Sequence, residues 1–381
     1  MPGCQAGHGE APARASERVV RLDRSDQPLA GATASEEARF AEGDALFEAV
    51  FRAPDGLGPV YIRSSCEACH GGDGRGPGLV ARMAVMAPDG VTPVRDPAAL
   101  PFGNTLRPYL AGGGRSPVMA PADAGRTVRV SYRLPPAVWG RGYLEAVSDA
   151  EIERLAAAAS ARPGTIRGRL HRVAGGIGRF GLKARLATLE EFAADALQSD
   201  MGLTSPLRPH ELPNPDGLGD DARPGMDVTR EMVEALGNYV RLVEIPRRPT
   251  DGSAARGRAA FVRAQCATCH VPELRTRADY PVAALAGIAA PVYTDLLLHD
   301  MGSALGDGVV EGDAGPREWR TAPLMGLRFM PAFLHDGRAR TIEEAIAAHD
   351  GPGSEGSVSV ATFRGLTPAE REELLQFVRS L

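Results

Sequence analysis

CEACH at Cys66–His70, inside SSCEACHGG, recurs as CATCH at Cys266–His270, inside AQCATCHVP. From the chain's own cysteine and histidine frequencies, a chance match to C-x-x-C-H is expected in roughly one such sequence per thousand, so two are signal. Two thiols three residues apart at a helix start can form thioether bonds to the two vinyl groups of one haem, and the histidine beside them then reaches the iron as an axial ligand. The reading is two covalently bound c-type haems, attached at Cys66, Cys69, Cys266 and Cys269, with His70 and His270 on the irons. The alternatives are a redox C-x-x-C disulfide and a four-cysteine zinc site; neither calls for histidine after both pairs.

Attachment of this kind takes place outside the cytoplasm, so an exported protein of the periplasm or outer envelope is expected. The start MPGCQAGHGE has no apolar core, but Gly3-Cys4 before a polar, Ala-rich stretch resembles the cut end of a lipoprotein signal. A lipid anchor at Cys4 is one expectation and a spare thiol on a tail the other. With 381 residues the chain can build more than one core. Its net charge of −5 and scattered cations leave no basic field for phosphate backbones, so nucleic acid is not an expected partner. No run approaches the eighteen or so apolar residues that cross a bilayer. Pro and Gly are abundant, at 31 and 45 residues, and aromatics make up only 5%. Such a composition predicts long irregular connections and a core packed around something other than aromatic rings.

Residues 1–35 read as a flexible leader, 36–250 as a first haem domain with a helical extension, and 251–381 as a second haem domain. Four capping boxes mark helix starts: Ser148/Glu151, Thr188/Glu191, Thr341/Glu344 and Thr367/Glu370. Each precedes an apolar i, i+3, i+4 pattern, as in Ile152, Leu155, Ala156, Ala159. VRVSYRL at Val128–Leu134 alternates weakly and predicts a short strand pair. His210–Gly225 reads as a surface loop and Glu244–Gly257 as a linker. The expected fold class is mainly α, with two cytochrome c-like haem domains, long irregular connections and a few short strands.

An internal repeat ties the halves together. With RFGLKARLATLEEFAADA (Arg179–Ala196) set against FLHDGRARTIEEAIAAHD (Phe333–Asp350), Thr188 falls on Thr341, Arg185 on Arg338, Glu190 on Glu343 and Glu191 on Glu344. In the second copy Ile342, Ala345, Ile346 and His349 occupy i, i+3, i+4 and i+7, so the His349 imidazole turns inward with the isoleucines. Such a histidine is either satisfied by backbone or, beside a haem, bound to iron. The first copy has Ala196 at that position.

These stretches, together with DGLGPVYIRSSCEACHGGDGRG, IRGRLHRVAGGIGRFGLKA, LEEFAADALQSDMGLTSP, YTDLLLHDMG and REWRTAPLMGL, resemble the di-haem oxidoreductase family, relatives of bacterial di-haem cytochrome c peroxidases, over roughly residues 40 to 381. The resemblance implies that His349 is the sixth ligand of the second haem, and that His335, in the HDG turn, lies near it without touching iron. Two imidazoles leave no open position, so this haem would relay electrons. His299 and Met301 are rival ligands expected to line the pocket instead. The first haem would then be the reactive one, open or closed by a labile ligand, for which Met83, Met86, Met119 and His171 are candidates. A glutamate above the open haem in the relatives is matched by Asp200 in DMG, and Glu191 on the preceding helix is the other candidate acid–base carboxylate. Leu182 stands where the relatives carry a tryptophan between haems, leaving Trp319 and Trp139 as aromatic candidates. Arg317, Arg320 and Arg338 are candidates to pair with haem propionates. The implied activity is peroxide reduction or peroxide-driven oxidation, fed by a small redox protein or a quinol-linked donor. The alternatives are a non-catalytic electron-transfer cytochrome and an oxygenase acting on an apolar substrate. A calcium ion occurs between the domains of relatives, but the match is shifted near Met330–Ala332 and none is assigned.

Overall fold

The computed structural model describes residues 27–381 except 74–75, 77, 90–91, 93, 95–99, 101–102, 117–126, 215–217, 219–224 and 249–252. Cys4, Met119, most of the leader and much of the 210–225 loop lie outside the described residues. Helices α1 (Ala34–Glu48), α2 (Glu67–His70), α3 (Arg141–Ala146), α4 (Asp149–Ala161), α5 (Leu189–Ala196) and α6 (Arg230–Leu242) are followed by α7 (Ser253–Arg263), α8 (Gly302–Leu305), α9 (Ile342–Ala347), α10 (Ser357–Gly365) and α11 (Pro368–Ser380). The mainly α expectation holds. Helix α7 begins within the stretch read as linker.

Three of the four predicted capping boxes form; at the fourth Ser148 caps the helix, but the Glu151 carboxylate pairs with Arg154 instead. The Ser148, Thr188, Thr341 and Thr367 hydroxyls accept from the backbone N–H three residues on, and the last three are answered by Glu191, Glu344 and Glu370. Thr33 and Glu36 cap α1 in the same reciprocal way.

Each haem motif is clasped by a pair of crossing helices. Helix α1 precedes CEACH and packs across α6; α7 precedes CATCH and packs across α11. At both crossings a glycine lets the backbones meet: a Cβ on Gly43 would strike the Ala235 carbonyl and Tyr239, and one on Gly257 would strike the Glu373 carbonyl and Phe377. Aromatic rings fill the space beside both glycines, with Phe47 and Tyr239 centroids 4.9 Å apart in one and Phe261 and Phe377 5.5 Å apart in the other.

The strands are short: β1 (Val60–Tyr61), β2 (Val80–Met86), β3 (Tyr109–Leu110), β4 (Thr127–Arg133), β5 (Arg172–Val173), β6 (Gly176–Ile177), β7 (Leu274–Arg275), β8 (Ala289–Ala290), β9 (Leu298–Asp300) and β10 (Glu318–Arg320). They form two-stranded antiparallel pairs, β1 with β3, β2 with β4, β5 with β6, β7 with β8 and β9 with β10. The longest, β2–β4, runs from Val80↔Arg133 to Met86↔Thr127; VRVSYRL, except Leu134, forms one strand of it rather than a pair by itself. One apolar cluster draws on residues from Leu29 to Met325, and a second gathers α7 and α11 around Phe261, Leu374 and Phe377. Among the described residues no helix is long and apolar enough to cross a membrane.

Candidate haem sites

The two cysteine pairs open into separate clefts. Cys66, Cys69 and His70 line one of about 110 Å³, and Cys266, Cys269 and His270 line another of about 270 Å³. Four cysteines divided in this way cannot share one zinc ion. Burial pushes the Cys66 thiol up to about 12 and Cys69 to about 11, and Cys266 likewise to about 12. Thiols held so firmly protonated are poor disulfide-exchange nucleophiles, which disfavours a redox C-x-x-C centre.

In the second cleft two imidazoles face one another. His270 Nδ1 lies 3.1 Å from the Tyr293 carbonyl, and His349 Nδ1 lies 2.7 Å from the Ala345 carbonyl. A carbonyl only accepts, so both Nδ1 atoms carry the proton and both Nε2 atoms are left as lone-pair donors. The ring centroids are 6.4 Å apart. A metal–imidazole bond of about 2 Å, with about 1.1 Å more from nitrogen to ring centre, places two imidazoles trans on one metal with centres about 6.3 Å apart. The spacing and the donor set therefore fit a haem iron between His270 and His349. Burial, then the neighbouring His349, lowers His270 to about 4, and burial lowers His349 as well, so both rings are neutral as ligation requires.

Both rival ligands line the cleft, as expected, and one of them, His299, is held by carboxylates. His299 Nδ1 is 2.7 Å from Glu355 Oε2 and its Nε2 is 2.9 Å from Asp295 Oδ2. Burial opposes charge on this ring, but hydrogen bonds to Asp295, Cys269 and Glu355 hold its pKa well above the ordinary value. With a carboxylate against each nitrogen the ring favours its protonated form, which has no lone pair to offer, although Cys269, Asp295 and His299 bring ligand-type atoms within 4.8 Å of one another. His335 stacks on Trp319 with centroids 4.0 Å apart and planes at 18°, forming a wall of the cleft. Met301 also lines it.

The first cleft is built by the other copy of the repeat. Phe192, Ala193, Ala196 and Leu197 of α5 and the turn after it line this cleft together with His70, and in the repeat Ala196 falls where His349 falls in the second copy. Helix α5 then widens into a π-turn, Leu197–Met201, which brings Asp200 to the same cleft. Burial raises the Asp200 carboxyl above the usual range, against the pull of the Arg82 guanidinium, and Ser199 Oγ donates to it at 3.0 Å. Glu191 is placed differently: its carboxylate accepts the Ala187 and Thr188 N–H groups at the head of α5, away from the cleft.

None of the other sixth-ligand candidates that are described lines this cleft. Met83 packs with Val85 and Leu100 on the β2–β4 ribbon, and Met86 is buried on the same strand. His171 is buried, with Nδ1 2.9 Å from the Lys183 carbonyl and Nε2 accepting the Asp313 N–H at 3.2 Å. Both of its nitrogens are satisfied.

Between the clefts lies the turn Phe180–Leu182. Phe180 and Gly181 line the first and Leu182 the second, so the position held by tryptophan in relatives is aliphatic here. Arg141 and Arg320 line both. Arg317 and Arg338 instead pair with Asp300 at 2.7 Å and Asp336 at 2.6 Å, outside either cleft. Trp139 donates to the Met325 carbonyl at 2.8 Å and lies in the main core. Arg141, Arg82 and the clamp on His299 escaped sequence reading; the i, i+4 spacing of Asp295 and His299 was the one signal that pointed to the clamp.

No curated protein matches the chain. Among solved structures, hydrazine synthase of Kuenenia stuttgartiensis matches at 14% identity and TM-score 0.44, covering 100% of this chain and 98% of that one. A MauG-like protein associated with microbial copper homeostasis matches at 14% and 0.43, covering 99% and 95%. The diheme peroxidase BthA of Burkholderia thailandensis matches at 17% and 0.42, covering 96% and 92%. Likenesses this distant bear on neither activity nor ligands. The family model described as "Di-haem oxidoreductase, putative peroxidase" matches residues 23–87 and 118–381. With both haem motifs inside that span, the chain belongs to the di-haem oxidoreductase family.

Proposed function

We propose that this protein is a c-type di-haem peroxidase in which the first haem meets peroxide and the second delivers electrons to it. Cys66 and Cys69 would hold the first haem by thioether bonds and Cys266 and Cys269 the second, with His70 and His270 as proximal ligands. The observation that carries the reading is the asymmetry of the repeat: His349 faces His270 across 6.4 Å, whereas its counterpart in the first cleft is Ala196. A second haem closed by two imidazoles suits electron transfer, and a methyl group leaves room opposite His70 for a small ligand.

Bound haem supplies the one-electron redox chemistry that takes H2O2, two electrons and two protons to two waters. Asp200 does the proton work: its carboxylate takes a proton from one peroxide oxygen and returns it to the other as the O–O bond breaks. A carboxyl whose pKa is raised by burial suits that exchange better than an ordinary surface aspartate. Aliphatic and aromatic side chains such as Phe47, Phe192 and Leu236 keep the rest of the cleft dry. Thioether attachment implies export, and the electron donor would be a small redox protein or a quinol-linked carrier.

Optical and EPR spectra of the ferric holoprotein test this. The expected result is one low-spin and one high-spin haem, with the reduced protein oxidised by hydrogen peroxide at two electrons per molecule. Two low-spin irons indifferent to peroxide would replace this reading with a non-catalytic electron-transfer cytochrome.

A further inference from the structure

Arg320 is a buried cation that pairs with no carboxylate among the described residues. It is 7% exposed, held on β10 with its backbone N–H bonded to the Leu182 carbonyl at 2.9 Å. Its Nε donates to the Gly181 carbonyl at 3.1 Å and its Nη1 to the Thr321 carbonyl at 3.1 Å. Its Nη2 has no hydrogen-bond partner among the described residues, and no carboxylate forms an ion pair with it. Burial lowers its pKa to about 10, with Asp295 as the one acid that opposes this. A guanidinium largely withdrawn from water without a counter-charge is costly, and its unbonded Nη2 opens toward the cleft space, which suits an anion from outside the chain. The same side chain lines both clefts, beside the turn that separates them.

We propose that Arg320 is an ionic bridge between the two cofactors, with its outward guanidinium edge holding a propionate carboxylate from each haem. The inference rests on the two clefts holding haem, and is independent of which haem meets peroxide. A planar fork with parallel N–H groups matches carboxylates, and the two carbonyl contacts fix its plane. The bridge occupies the inter-haem region where Leu182 offers no aromatic ring. A cation shared in this way stabilises the ferrous form of both haems, since each ferric iron carries one more positive charge. Arg320 is thus a positioning residue that sets both potentials together.

The test is spectroelectrochemical titration of holoprotein carrying Arg320→Gln and Arg320→Lys, with EPR to separate the haems. In Arg320→Gln both midpoint potentials should fall, each by roughly a tenfold change in the ferric to ferrous ratio at fixed potential, about 59 mV for one electron. Arg320→Lys keeps the charge but loses the fork, so both should fall by less. If the glutamine variant fails to load its haems, the lysine variant alone decides. Movement of only one potential, or of neither, overturns the bridge. Haem content of the wild-type chain is measured first: fewer than two per chain would sink the two-haem reading and the bridge with it, whereas two haems with unmoved potentials would sink the bridge alone.

Discussion

The two haem regions share a frame and differ at one position on it. In each, a glycine allows two helices to cross, an aromatic ring fills the angle, and a threonine-capped helix presents its inner face to the cleft. Only the capped helix belongs to the repeat; the two crossings lie outside it and recur in the same order around each haem motif. Past the cap the copies part: α9 ends at Ala347, with His349 just beyond it, whereas α5 runs through Ala196 into a π-turn that delivers Asp200. One scaffold thus presents an imidazole in one copy and a carboxylate in the other, and the proposed division between electron delivery and peroxide chemistry rests on that difference.

Exchanging the ligands is the strongest way to break that comparison. His349→Ala should remove the low-spin signal of the second haem and leave a high-spin iron, read by EPR. Ala196→His should do the reverse at the first haem and abolish peroxide turnover. If the second haem kept its low-spin spectrum in His349→Ala, another side chain must hold its iron.

Asp200→Asn should lower kcat/KM for peroxide by about 10²–10⁴-fold, the usual contribution of a positioned acid–base group. The carboxylate must be ionised to take its first proton. Because burial raises its pKa, wild-type activity should fall with decreasing pH at a value above that of an ordinary aspartate, and the asparagine variant should lose this acid limb. Glu191→Gln is the control: it weakens the Thr188 cap by about 1 kcal/mol or less and should leave turnover as it was. A pH profile that moved with Glu191 rather than Asp200 would exchange their roles.

The shared frame makes a smaller and symmetrical prediction. Gly43→Ala and Gly257→Ala each drive a methyl group into a facing carbonyl, and each should cost about 1–3 kcal/mol by denaturant unfolding of the holoprotein. Comparable losses would support two equivalent crossings, whereas a silent substitution at one would show that only the other helix pair is tightly clasped.

Much of this was legible along the chain because it is local. The C-x-x-C-H pairs, the threonine caps and the inward turn of His349 depend on residues within two helical turns of one another. The strand Thr127–Arg133 was visible by alternation, but its partner VARMAVM was not, because its run of apolar residues hides any period of two. Sequence also could not show that His299 is clamped by Glu355, 56 residues away, or that Arg320 reaches two clefts at once. Those facts are created by chain crossings. The two glycines are an intermediate case, since each looks like a weak point in a helix until its partner helix is placed against it.

Trp319 gives the smallest expected effect. It lines the second cleft and stacks on His335, so its position alone would suit an electron carrier between the haems. Its electrostatic surroundings point the other way. Lys183 Nζ sits 4.3 Å from the ring centroid and the Arg133 guanidinium 5.2 Å from it, and both cations are buried. Two buried positive charges beside the ring stabilise the neutral indole through its quadrupole and oppose the positive charge it would gain on oxidation. Asp307 pairs with both cations and Glu311 pairs with Arg133 at 2.7 Å, and these carboxylates soften that field. Trp319→Phe keeps the apolar wall and loses the hydrogen bond from Nε1 to the Leu305 carbonyl. Stability should fall by about 1 kcal/mol. Electron transfer between the haems, followed after rapid mixing of reduced protein with peroxide, should keep the wild-type rate; a marked slowing would make Trp319 the carrier that Leu182 is not.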